Sequence, residues 1–380
     1  MNRRRQHRTA MSEGARTDVA QLTTSAVGAD GRAGAEAIWR ALEAEYGRPR
    51  LSCSWDWTQT WLEVYGADVP HRFVIGERDG RPRAIALLTL DAPSRPSLRP
   101  RTLHVGTAGE PRGETVAVER NGLLVAPEDK VAFSRGLVAF ALRSRGWQRL
   151  SLDGFAPDEA AGLLAAEPRF LVRIEESPVA DLRAGRDGDV LSALSSSRRQ
   201  RIRRAVRRFG ELEAEWAADE AQASDVLDDL IALHQARWRA VGETGSFASR
   251  RFTMFHQAMI RRLLPRNEVI LFRVRRGDET VGCVYCLVEG RRALFYLSGL
   301  RRYPDNRMNA AAVVHALCMQ ACRDRGLAEY DFLAPGDRYK HELSTRTDSL
   351  IWAEFYRRRP TTQAWRALKV ARVAMRSRRG

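Results

Sequence analysis

The chain repeats one order of elements at an interval of about half its length. Residues 143–157 read as a helix end, a glycine, a strand and a loop, and residues 323–336 repeat that order, with Gly146 and Gly326 standing 180 positions apart. A hairpin signal precedes each copy. Asp79-Gly80 separates the strand-like stretches 72–78 and 83–90, and Gly277-Asp278 separates 268–275 and 280–288. The fold class this predicts is α/β, as two similar domains in tandem, each a mixed sheet flanked by helices. The expected boundaries are a flexible basic arm at 1–34, a first, degenerate domain at 35–182, a second at 183–357 that carries the site, and a basic tail or helix at 358–380.

Composition narrows the class. A hydrophobic fraction of 44% over 380 residues excludes a disordered or fibrous chain. Uncharged stretches such as 310–322 and 84–90 are shorter than the ~20 apolar residues of a spanning helix. The first 35 residues contain no apolar block, so a cytoplasmic protein is expected, with peripheral contact to an anionic membrane as an option for the tail. The net charge of +16 is concentrated at the ends: nine basic and no acidic residues in 357–380, and a net of three in 1–32. The body is nearly balanced, which makes nucleic acid an unlikely partner despite the high pI.

Several groups of residues offer chemistry. The basic loop 301–309 leads from a strand into a helix start, where free N–H groups and the helix dipole favour an anion, and Arg301, Arg302 and Arg307 add charge. Asp331 ends a strand, with Tyr339 and Lys340 shortly beyond, so a carboxylate and an amine leave one strand end. The pair supplies either a base and an oxyanion partner or a turn cap and an ion pair. Lys340 is one of only three lysines among 63 basic residues, and its pKa can be lowered where a guanidinium cannot serve. His234, four residues before Trp238 on a helix, is either a base or a packed core histidine. Seven arginines in 198–208 make a basic helix exterior. Cys283 and Cys286 in a strand, and Cys318 and Cys322 on a helix, read as core thiols, and no metal is expected.

From Ser197-Arg198-Arg199 through "DLIALHQARW", "GDETVGCVYCLVEGRRALFYLSGL" and "YDFLAPGDRYKHEL", the second half resembles the GNAT-type acetyltransferase domain of CelD-like proteins associated with cellulose biosynthesis. It is also similar to the second domain of FemAB-type aminoacyltransferases. The resemblance covers roughly residues 190–345. It implies an acyl-CoA N-acyltransferase fold, with acetyl-CoA or another acyl-CoA as co-substrate and a small-molecule or saccharide acceptor in exopolysaccharide or envelope metabolism. It places the donor near Tyr296, Ser298, Arg301 and Arg302 and at the start of the next helix, with Arg307 and Asn309. It gives Asp331, Tyr339 and Lys340 a functional role. The alternatives are aminoacyl-tRNA-dependent transfer, in which tRNA becomes a partner, and a non-catalytic accessory protein of polysaccharide synthesis.

Overall fold

The computed structural model describes residues 22–47, 49–93, 99–305, 307–360, 362 and 365. The first half runs β1 (Thr23–Val27), α1 (Arg32–Tyr46), α2 (Trp55–Tyr65), β2 (His71–Arg78), β3 (Arg81–Leu90), β4 (Thr102–Val105), β5 (Leu124–Val125), α3 (Lys130–Arg143), β6 (Arg149–Phe155), α4 (Pro157–Ala166) and β7 (Leu171–Asp181). The second runs α5 (Ser196–Phe209), β8 (Glu213–Trp216), α6 (Glu220–Arg239), α7 (Arg250–Leu263), β9 (Val269–Arg276), β10 (Glu279–Glu289), β11 (Arg292–Leu300), α8 (Ala310–Asp324), β12 (Glu329–Asp331), α9 (Arg338–Leu343) and β13 (Arg346–Tyr356). Local chemistry explains many of the boundaries. Asp79 and Gly80 both take positive φ, as a tight hairpin turn requires. Ser54, Asp219 and Ser249 cap α2, α6 and α7 by accepting backbone N–H groups.

All strands join one sheet, in the order β1-β2-β3-β4-β6-β13-β7-β12-β11-β10-β9-β8, with β5 attached to β3. That order is a palindrome of the two halves. In each, one parallel pair (β4 with β6, β11 with β12) adjoins the centre, and the remaining neighbours are antiparallel. The last strand of each half crosses over: β13 pairs with β6 of the first half, and β7 pairs with β12 of the second. The two mixed sheets are therefore fused, and a cut at residue 182 does not separate them. The arm expected at 1–34 is also corrected within the described residues, because Thr23–Val27 adds an edge strand to β2 and α1 begins at Arg32. Most of the 358–380 tail, with the lipid contact considered for it, lies outside the described residues.

Side chains of α1, α2, α6 and α7 share one core on one face of the sheet, so that core spans both halves. On the other face α3 and α4 cover the first half and α5 and α8 the second, over separate cores. Ring contact between Trp57 and Phe255, centroids 5.1 Å apart, ties α2 to α7. The cysteines at 283, 286, 318 and 322 are buried in these cores. Leu194 and Ser195, in extended backbone, separate a short 3-10 turn at Val190–Ala193 from α5. Among the described residues no helix is long and apolar enough to cross a membrane.

Candidate active site

β11 and β12 pair only over Arg292–Leu294 and Glu329–Asp331. Beyond that point β12 turns away, with the Phe332 N–H bonded to the carbonyl of Pro178 in β7 and Leu333 at φ +55°. β11 continues to Leu300, held on its other side by β10. A seam opens between the two strands. Tyr296, Leu297 and Ser298 are consequently only half-buried, although they sit on an inner strand between helical layers. The ladder also slips here. Leu297 faces Tyr285 and Phe295 faces Cys286, which leaves Tyr296 as the extra residue of a β-bulge. A backbone group freed from a ladder in this way can meet a substrate atom instead. Gly299 fixes the neighbouring helix, because a Cβ there would run into the backbone of Leu230 on α6.

The first half reaches across this seam. The Tyr296 hydroxyl donates to the Ala117 carbonyl at 3.1 Å, and the Ala334 N–H donates to Glu119 Oε2 at 2.7 Å. Residues 117–119 thus bridge β11 and the segment that follows β12. Burial pushes the Glu119 carboxyl up to about 7, with the Ala334 hydrogen bond and the Lys340 charge opposing. On the same segment, Lys340 Nζ donates to the Leu333 carbonyl at 3.2 Å and lies 5.9 Å from the centre of the Phe295 ring. Burial lowers its pKa, with Glu119, Asp337 and Asp331 opposing. Tyr339 stacks on His315 of α8 with ring centroids 5.8 Å apart, and burial pushes its phenol up to about 12. The seam therefore collects a carboxylate tuned to neutrality, an ammonium of weakened basicity and a phenol.

The other expected residues fare differently. Asp331 is fully buried, and donors fill its carboxylate: Ser177 Oγ at 2.7 Å, the Leu333 N–H at 3.0 Å, Arg292 at 3.0 Å and Arg120 at 3.4 Å. It clamps the halves together and is not a free base. His234 is occupied as well, with Nε2 accepting from Trp238 at 3.0 Å and Nδ1 against Gln235 at 3.2 Å. Burial lowers its pKa, so it is the packed histidine. At the anion end, Arg301 is held by the Thr280 carbonyl and Glu279, and Arg307 by Asp305. Asn309 spends its side-chain oxygen capping α8 at the Ala312 N–H. Arg302 is exposed and has no carboxylate partner among the described residues, which leaves it free for a phosphate. Ser298 lines the seam.

Glu119 was not anticipated from sequence. "VERN" at 118–121 carries no motif, and only the fold brings it to the second half.

The seam, the bulge and the basic loop entering α8 define a site type. Residues 196–341 match the acetyltransferase (GNAT) domain family. The match takes in the helix α5, the seam, α8 and Lys340. Among solved structures, FemX shares 11% identity over 90% of this chain and 99% of its own, with a TM-score of 0.55. The C-terminal domain of a proposed lysylphosphatidylglycerol synthetase from Agrobacterium fabrum shares 13% over 89% and 96%, with a TM-score of 0.52. L-PGS from Bacillus licheniformis shares 12% over 86% and 94%, with a TM-score of 0.50. These likenesses are of fold. Compared with curated protein sequences, the chain finds no match. The GNAT fold of the second half is thus carried by both the family match and the strand order, and the CelD-like subdivision by neither.

Proposed function

We propose that the chain is an acyltransferase that moves an acyl group from a coenzyme A thioester to an amine or hydroxyl, in the seam between β11 and β12. The observation that carries this reading is the half-buried run Tyr296–Ser298, with Glu119 and Lys340 both held on the 333–334 segment that parts from it. The pantetheine arm lies along the free edge of β11, with the phosphates toward Arg302 and the start of α8. The acceptor's N–H or O–H gives its proton to Glu119 as its heteroatom bonds to the thioester carbon. The C–S bond then breaks, and Lys340 gives a proton to the leaving sulfur. Glu119 then releases its proton to solvent and Lys340 regains one from solvent, which restores both groups. The acceptor class is the amine or hydroxyl of an envelope saccharide or its precursor, as the sequence resemblance implies.

Thermal denaturation with coenzyme A, acetyl-CoA and longer thioesters tests the donor. Ligand at a hundred times its Kd stabilises a protein by about 2.7 kcal/mol, so the melting temperature rises by several degrees; no rise with any thioester refutes the reading.

One observation favours a second reading, a donor carried on RNA. Arg204 and Arg207 of α5 are exposed with no carboxylate partner among the described residues, and Arg208 donates to the Arg307 carbonyl at 3.5 Å, joining the row to the loop before α8. Binding of tRNA that falls steeply with salt, alongside indifference to thioesters, would select it.

A further inference from the structure

At the inner end of the seam the ring of Tyr296 packs against core polar atoms that have no hydrogen-bond partner among the described residues. His256 of α7 is fully buried and neither ring nitrogen has a hydrogen-bond partner. Tyr285 of β10 is fully buried and its hydroxyl is also unpartnered. The His256 ring centre lies 5.1 Å from that of Tyr296 and 5.5 Å from that of Tyr285, and the two tyrosines are 5.7 Å apart. Around His256 the walls are aromatic, Phe252 at 4.4 Å and Phe255 at 5.1 Å.

Buried donors and acceptors are almost always paired in folded proteins, because leaving them unmet forfeits their hydration. Phenylalanine at both positions would fill the same space at no such cost. The polar atoms therefore mark a place where a hydrogen-bonding group arrives. Its charge is constrained as well. Burial pushes His256 down to about 3, so at neutral pH the imidazole offers one donor and one acceptor and no charge. The Tyr285 hydroxyl adds one of each. An ionised group brought into these aromatic walls would lack a counter-charge. A hydroxyl matches both requirements.

We propose that His256 and Tyr285 form a neutral hydrogen-bonding subsite at the inner end of the seam, which receives the hydroxyl of a short hydroxyacyl group carried by the donor. This deepens the thioester reading and rests on it. The subsite gives the enzyme a means to prefer a hydroxyacyl over a plain acyl donor, because an acetyl methyl would leave the three polar atoms as they stand.

Calorimetric titration of the full chain with acetyl-CoA and with hydroxyacetyl-CoA separates the possibilities. The expected result is about tenfold tighter binding of hydroxyacetyl-CoA to the unmodified protein. In Tyr285→Phe and in His256→Phe that ratio falls toward one, acetyl-CoA affinity is kept, and the melting temperature is unchanged or higher. Tyr285→Phe removes one atom, so it reports even where His256→Phe folds poorly. Equal affinities in the unmodified protein, or a preference that survives both variants, overturns the subsite and leaves the acyltransferase reading standing. A water bridging His256 and Tyr285 in a crystal structure with hydroxyacetyl-CoA bound elsewhere does the same. Failure of both thioesters to bind removes the donor reading, and the subsite falls with it.

Discussion

The parallel strand pairs β4/β6 and β11/β12 occupy mirror positions in the sheet, yet they part differently: Asn121 bridges the first split beside a small cavity lined by Val105, Gly106 and Thr107, whereas at the second β11 runs on without β12. In the first half, Asn121 fills the place where the strands part. Its backbone bridges to Phe155, and its side-chain amide donates to the Val105 carbonyl at 3.2 Å and the Asp153 carbonyl at 3.4 Å. Gly154 at φ +63° permits this, because a Cβ there would strike the Val118 carbonyl. The second half has Phe332 after its corresponding aspartate, and no residue of its own stitches the seam. The chain that closes the first split goes on to line the second: residues 117–120 supply Ala117, Glu119 and Arg120 to the seam of the other half. Residues of the first half thus reach the strands and the segment around the second-half seam.

The equivalent aspartates divide along the same line. Asp153 holds an imidazolium, with His104 at 2.8 Å and Asp91 at 3.0 Å on the other ring nitrogen. Asp331 holds Arg292 and Arg120. Asp331→Asn should be the more damaging change, because breaking one partner from a buried ion cluster costs about 3–5 kcal/mol; urea unfolding measures it, and a loss below 1 kcal/mol would show that the clamp is not needed. The first-half cluster should instead respond to pH. Burial opposes the charged form of His104, but its bonds to Asp153 and Asp91 prevail and push it up to about 9. A folded pKa above the unfolded value near 6.5 gives stability that is complete below pH ~6.5 and lost as the pH rises to ~9, roughly 3 kcal/mol in all. Unfolding midpoints across that range should fall for the unmodified protein and stay flat for His104→Gln; parallel profiles would contradict the assignment. The smallest effect belongs to the stitch. Asn121→Ala should cost about 1–3 kcal/mol through its orphaned carbonyls and, on the reading that the reaction runs in the second-half seam, leave turnover intact. Lost turnover at full stability would mean that the two splits are not so different.

Sequence patterns revealed the duplicated order of elements and the hairpins, because these are local: turn residues, strand periodicity and a glycine after a helix. They did not reveal the exchange of β7 and β13, since strand order in a sheet is set by contacts between distant segments. Nor did they show that most of 116–125 leaves the ladder to cross the splits, with only Leu124–Val125 pairing as β5. Tyr296 and Lys340 lie on the second half's own strand and helix, whereas Asp331, read as either a base or a turn cap, is held by Arg120 from 211 residues away. Glu119 was missed for the same reason in reverse.

Glu119→Gln is therefore the most direct measurement. The amide keeps the acceptor for the Ala334 N–H and removes the titrating group. The turnover of the unmodified protein should rise with pH through about 7 as Glu119 loses its proton. The variant should lose about 10²–10⁴ in rate together with that limb of the profile, at an unchanged melting temperature. A variant that turns over within a few-fold of the unmodified protein, with the same rise near neutrality, would mean that the first half lends the site no base.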